Sequence, residues 1–86
     1  MRLRTSGLSW QRLDDDVVVL DLEGSSYLKL NSSGAVLWEA LVDGADFELL
    51  VGLLVSRYDV GRQDAERDVR AFLDAMEAKN LLDEDE

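Results

Sequence analysis

The hydrophobic period of this chain changes once, between Leu30 and Asn31, and that change dictates the order in which its elements occur. Upstream the period is two. Three segments rich in β-branched, aromatic and aliphatic residues (Leu8 to Leu13, Val17 to Leu22 and Ser26 to Leu30) are separated by Asp14-Asp15-Asp16 and by Glu23-Gly24-Ser25, polar connections of hairpin length. They predict a three-stranded antiparallel meander. In the third segment alternation sets Leu28 and Leu30 on one face and Tyr27 and Lys29 on the other, the pattern of a sheet covered on one side. Leu28 and Leu30 are expected to face the core.

Downstream the period is that of a helix. Asn31-Ser32-Ser33 supplies side chains able to accept from the free amides of a helix start, Gly34, Leu37, Trp38 and Leu41 follow at helical spacing, and Gly44 stands where a left-handed residue ends a helix. This first helix should run for about ten residues. Asp46 caps a second, whose stripe is Phe47, Leu50, Val51, Leu54 and Tyr58. Leu49 and Leu53 lie off that stripe, either enclosed by a small core or docked on another protein. A third helix, from Arg62 to Lys79, opens at Gly61 with Asp64 at its third position and closes where Lys79 suits the negative end and Asn80 tolerates a left-handed turn. Its inward stripe is Ala65, Val69, Phe72, Leu73 and Met76. Leu81 and Leu82 are expected to fold back on the body, making 1–82 a single domain and Asp83-Glu84-Asp85-Glu86 a disordered acidic tail.

Composition narrows the chemistry. The 86 residues include neither cysteine nor histidine, which removes zinc sites, thiol nucleophiles, disulfides and the usual near-neutral acid–base group together. A chain of this length supports one small core and rarely encloses a substrate cavity beside it. No catalytic residue and no cofactor is expected. With 19 acidic against 9 basic side chains and a formal net charge of −10, neither nucleic acid nor an anionic membrane is an expected partner, because binding to polyanions is driven by lysine and arginine. No apolar run approaches the roughly 20 residues of a membrane span, and the start lacks the apolar stretch of a signal peptide, so the cytosol is the expected location.

Three strands followed by three helices predict an α+β fold, and a helix pair joined by Asp43-Gly44-Ala45 beside a small sheet is the layout of a winged helix-turn-helix. DNA binding would follow from the layout alone. Beyond its first residue, however, the third helix carries Asp64, Glu66, Asp68, Asp74 and Glu77 against Arg67, Arg70 and Lys79, the wrong sign for reading a groove of DNA. A three-stranded sheet has another use. Its edge strand exposes unpaired amides and carbonyls that an extended peptide can complete as an added strand. If the meander pairs in sequence, Ser26-Tyr27-Leu28-Lys29-Leu30 is such an edge, and the third helix can wall the groove beside it.

The run Val17-Val18-Val19-Leu20-Asp21-Leu22, then Tyr27-Leu28-Lys29-Leu30-Asn31-Ser32-Ser33-Gly34-Ala35-Val36-Leu37-Trp38-Glu39, then Asp43-Gly44, and then Asp68-Val69-Arg70-Ala71-Phe72-Leu73 with Leu81-Leu82 resembles the PqqD-like family over nearly the whole chain. The most specific part is the junction from the tyrosine-containing strand into the helix that holds Trp38. The resemblance implies a recognition element for leader peptides of ribosomally made, post-translationally modified peptides. With Gly7-Leu8-Ser9-Trp10 at the start and a free-standing length, the chain looks most like the discrete leader-binding B proteins of lasso-peptide pathways. There the leader peptidase, cysteine-protease-like, is a separate chain, and an ATP-dependent cyclase is a further expected partner. Asn80, where relatives often have glycine, departs little, since asparagine accepts the same conformation. The alternatives are a recognition protein of another class, such as that of pyrroloquinoline quinone, or a non-catalytic winged-helix interaction or regulatory module.

On this reading the peptide pairs with the backbone of Ser26, Tyr27, Leu28, Lys29 and Leu30. Val69, Phe72 and Met76 form apolar pockets on the third helix, and Asp68 meets a lysine or a tyrosine hydroxyl of the leader. Each residue also has a plainer use: Tyr27 and Lys29 as a solvated strand face, Val69, Phe72 and Met76 as core, Asp68 as a solubilising carboxylate. Trp10 and Trp38 are expected at the core or its rim.

Overall fold

A computed structural model of the chain describes residues 1–4 and 6–83. Its elements are β1 (Arg2–Leu3), β2 (Leu8–Leu13), β3 (Asp16–Asp21), β4 (Ser26–Leu30), α1 (Ser32–Asp43), α2 (Phe47–Arg57), α3 (Arg62–Ala78) and β5 (Leu82–Asp83). The architecture is α+β. Strands β2, β3 and β4 form the expected antiparallel meander in that order, with Leu8 opposite Asp21, Trp10 opposite Val19, Val17 opposite Leu30 and Asp21 opposite Ser26. Hence β3 is central and β2 and β4 are edges.

Strand β3 begins and ends one residue earlier than the apolar run predicts. The Leu22 amide still donates to Gly7 O at 2.8 Å, but on the β4 side the Asp21 carboxylate accepts from the amides of Glu23 at 3.2 Å and Gly24 at 3.1 Å, which folds the chain into the next turn. Leu22 is left 68% exposed beyond the strand. A Cβ on Gly24 would lie 2.7 Å from Asp21 Oδ2, so this close approach requires glycine. Asp14 and Ser25, with φ of 57° and 54°, place one left-handed residue in each hairpin connection.

The helix ends form as their residue types dictate. Asn31 Oδ1 accepts from the Gly34 amide at 3.1 Å, Asp46 Oδ1 accepts from the Leu49 amide at 2.8 Å, and Gly44 ends α1 at a φ of 92°. Helix α1 has 12 residues, slightly longer than expected because it continues through Val42 and Asp43 before that glycine. Helix α3 starts at Gly61 without a side-chain cap, and Asp64 bonds Arg67 at 2.7 Å instead. Asn80 takes the left-handed conformation after its last turn, and the Leu81 amide donates to Met76 O at 2.9 Å, turning the chain back.

One core lies between the inner face of the sheet and the three helices. Trp38, Leu41, Leu50, Val51, Val69 and Met76 are buried in it together with Val17 and Val19 of the central strand. Trp38 meets Trp10 edge to face with centroids 6.4 Å apart, Trp10 standing at the rim. The Trp38 indole N–H has no hydrogen-bond partner among the described residues. Leu30 is buried and Leu28 half-buried, both on the core face. Leu49 is exposed and Leu53 half-buried on the outer side of α2.

A second, two-stranded sheet has no counterpart in the periodic pattern of the sequence. Arg2 lies opposite Asp83 and Leu3 opposite Leu82, so β1 and β5 tie the two ends of the chain together, and Leu81 is buried behind them. Asp83 therefore belongs to a strand and not to the expected tail, whose remaining residues 84–86 lie outside the described residues.

Candidate functional site

The outer edge of β4 and helix α3 enclose a wedge. At its wide end an open groove of 490 Å³ is lined by Lys29 and Leu30 of β4, by Asn31, Ser33, Gly34 and Leu37 at the start of α1, by Leu54 of α2, by Asp68 and Phe72 of α3, and by Asp16. Leu30, Leu37 and Leu54 make an apolar floor, the half-buried ring of Phe72 makes the far wall, and the polar side chains stand at the rim. Lys29 Nζ lies 3.7 Å from Asp16 Oδ2, leaving the Asp68 carboxylate as a second negative group on the rim. Such a surface offers three things to an extended peptide: a strand edge for its backbone, a floor for apolar side chains, and carboxylates for a cation or a hydroxyl.

At the other end the wedge closes. Ser26, Tyr27 and Leu28 lie against Lys79 and Leu81 around a space of only 10 Å³. Tyr27 itself is 72% exposed, on the outer face beside Leu20 and Leu22.

Of the residues singled out from sequence, the structure thus brings Lys29, Leu30, Asp68 and Phe72 together at the groove and sets Ser26, Tyr27 and Leu28 along its closed end. Val69 and Met76 are enclosed in the core, at 0% and 1% exposure, behind the groove wall. Helical geometry accounts for the split: adjacent residues point about 100° apart, so Asp68 at the rim places Val69 inside, while Phe72 falls on the boundary between the two. Leu37, Leu54, Asn31, Ser33 and Asp16 join the groove although periodicity marked them only as core, cap or turn. Their contribution depends on three helices converging on one strand end, for which a single-chain pattern has no signal.

The closed end carries a polar cluster. Arg4 Nη2 donates to Asp21 Oδ1 at 2.6 Å, Arg4 Nη1 donates to Asn80 O at 2.7 Å, and Arg4 Nε donates to Ser6 O at 3.1 Å. The Gly24 amide and the Arg4 guanidinium hold the Asp21 carboxyl below the usual carboxylate range against the opposing effect of burial.

Comparison with known proteins places this arrangement. The family described as "Coenzyme PQQ synthesis protein D (PqqD)" matches residues 16–82. The chain belongs to the PqqD family. That match takes in β4, the groove and all of α3. Two solved structures are similar to this PqqD-family chain over nearly its whole length. One, "TbiB1 in Complex with the TbiA(beta) Leader Peptide", is 33% identical with a TM-score of 0.89, covering 98% of this chain and 96% of the other. The second, "Lasso peptide synthetase B1 complexed with the leader peptide", is 32% identical with a TM-score of 0.81, covering 93% of each chain. No curated protein matches the chain.

Proposed function

We propose that this chain binds the leader peptide of a ribosomally synthesised precursor, of the lasso-peptide class, by adding it as a strand to the free edge of β4. The observation that supports this most directly is the juxtaposition of a strand edge left unpaired among the described residues with the apolar groove under α3, in a fold shared with two proteins solved with leader peptides. Main-chain bonds to Ser26, Tyr27, Leu28, Lys29 and Leu30 supply affinity that does not depend on leader sequence. Phe72, Leu37 and Leu54 take its apolar side chains, and Asp68 takes a lysine or a hydroxyl. Val69 and Met76 act from behind, keeping α3 seated.

The chain performs no chemistry of its own on this reading. It works in the cytosol and holds the precursor for a separate cysteine-protease-like leader peptidase and an ATP-dependent cyclase, the gain coming from effective concentration. Isothermal titration with a synthetic leader peptide of a lasso-peptide precursor tests the proposal, with hydrogen exchange to locate the contact. Protection on adding peptide should appear at the amides of residues 26–30. Absence of binding, or protection confined to α2, would overturn it. The family description favours a second reading, recognition in pyrroloquinoline quinone formation. Tight binding of that pathway's precursor and none of the lasso leader would select it.

A further inference from the structure

We infer that Arg4 is a positioning residue for the groove: by joining the sheet to the end of α3 at the closed end of the wedge, its guanidinium sets the separation of β4 from α3. The inference rests on the reading of the groove as the leader-binding site and assigns a role to a residue that does not line its open end.

The geometry is that of a hinge pin. Asp21, which receives Arg4 Nη2 at 2.6 Å, stands opposite Ser26, the first residue of β4. Asn80, whose carbonyl receives Nη1 at 2.7 Å, follows the last turn of α3. One planar group thus fixes the start of β4 against the finish of α3 at the end where the two converge, and the opening near Lys29 and Phe72 is set by how they diverge from there. A backbone bond from the Arg4 amide to Leu81 O at 2.8 Å and the β1–β5 ladder hold the arginine's own chain segment in place. The Arg4 and Asp21 side chains are 17% and 11% exposed, so water competes weakly for this pair. Asp21 Oδ1 also receives the Glu23 and Gly24 amides, which makes the β3–β4 turn part of the same cluster.

Arginine suits the position because its fork presents several N–H groups in a fixed plane, whereas a lysine reaches one acceptor at a time as a point charge. A leader strand must meet the β4 edge and the α3 wall at one fixed spacing. If the end of α3 drifts, only a fraction of molecules holds that spacing, and the apparent dissociation constant rises as the inverse of the fraction.

The test compares Arg4→Gln, Arg4→Lys and Asp21→Asn with the wild type in two measurements below their melting temperatures. One is titration with the same synthetic lasso-precursor leader peptide; the other is hydrogen exchange of the peptide-free proteins. Arg4→Gln should weaken binding about tenfold, with faster exchange at the Asn80 and Leu81 amides while the α1 amides keep their protection, and Arg4→Lys should recover part of the loss. A folded Arg4→Gln that binds as well as or better than wild type would overturn the inference. If that variant fails to fold, Asp21→Asn, which keeps the Arg4 bond to Asn80, is read by the same criterion. A wild type that does not bind the peptide would sink the leader reading separately, and unchanged exchange at residues 80–81 in the variants would then sink the hinge.

Discussion

The meander ends in two edge strands with the same backbone chemistry and different neighbours. Strand β2 directs its inward side chains into contacts with α1, Trp10 onto the Trp38 ring and Arg12 Nη1 onto Glu39 Oε2 at 2.6 Å, and the hollow beside it holds 170 Å³. Strand β4 has α3 across a groove of 490 Å³ floored by leucines. A peptide added to β2 would gain backbone bonds and little else. One added to β4 gains those bonds and buries apolar side chains as well, and the second contribution dominates most interfaces. A free strand edge is therefore not a site until another element stands opposite it at the right distance.

The largest effect should come from the core residue against which edge strand β2 sets Trp10. Trp38→Ala is expected to cost roughly 3 to 5 kcal/mol of stability in denaturant unfolding, because removing a fully buried ring of α1 leaves a cavity in the core. A loss under about 1 kcal/mol would mean that the core does not depend on this residue. The comparison itself is broken or sharpened by Phe72→Ala against Trp10→Ala. The first should weaken leader binding by about 2 kcal/mol, and the second should leave it within about half a kcal/mol of wild type. Equal losses would remove the distinction between the edges.

Acid titration probes the place where the edges meet, since Asp21 lies opposite Leu8 of β2 and Ser26 of β4. Its carboxyl is held below the ordinary range, so the stability it contributes is complete above its unfolded value and is lost as pH falls through the lower native value. Asp21→Asn should accordingly flatten the acid limb of a stability–pH profile; an unaltered limb would show that the cluster around Arg4 contributes nothing by charge. The smallest effect belongs to the rim. Lys29→Ala removes an exposed pair with Asp16 and should change leader binding by about 0.5 kcal/mol, and salt at about 0.5 M, with a screening length near 4 Å, should weaken it only modestly. A hundredfold loss in salt would transfer the main contribution from the apolar floor to charge.

Residue order alone made much of this legible. The switch of period at Leu30-Asn31 marks where sheet gives way to helix, and the caps at Asn31, Asp46, Gly44 and Asn80 act at the positions where their side chains or backbone freedom suit them, because capping is a local interaction spanning three or four residues. The stripe Ala65, Val69, Leu73 and Met76 is inward as its spacing requires. The edge position of β4 also follows from hairpins too short to allow any other pairing order.

Tertiary structure decided the rest, and in each instance distance along the chain is the reason. Two-residue strands such as β1 and β5 have no periodicity to detect and exist only because the chain ends meet. Periodicity assigns a residue to a face without saying what stands opposite, so it could not separate Phe72 at the groove from Val69 and Met76 behind it, nor add Leu37 and Leu54 to the floor. Arg4 reads as one of two arginines in a polar start until folding brings it to Asn80, 76 residues away, and to Asp21. Strands, helices and caps follow from neighbours in sequence; the groove is a gap between elements, and its width is set by contacts between residues that only the folded chain makes adjacent.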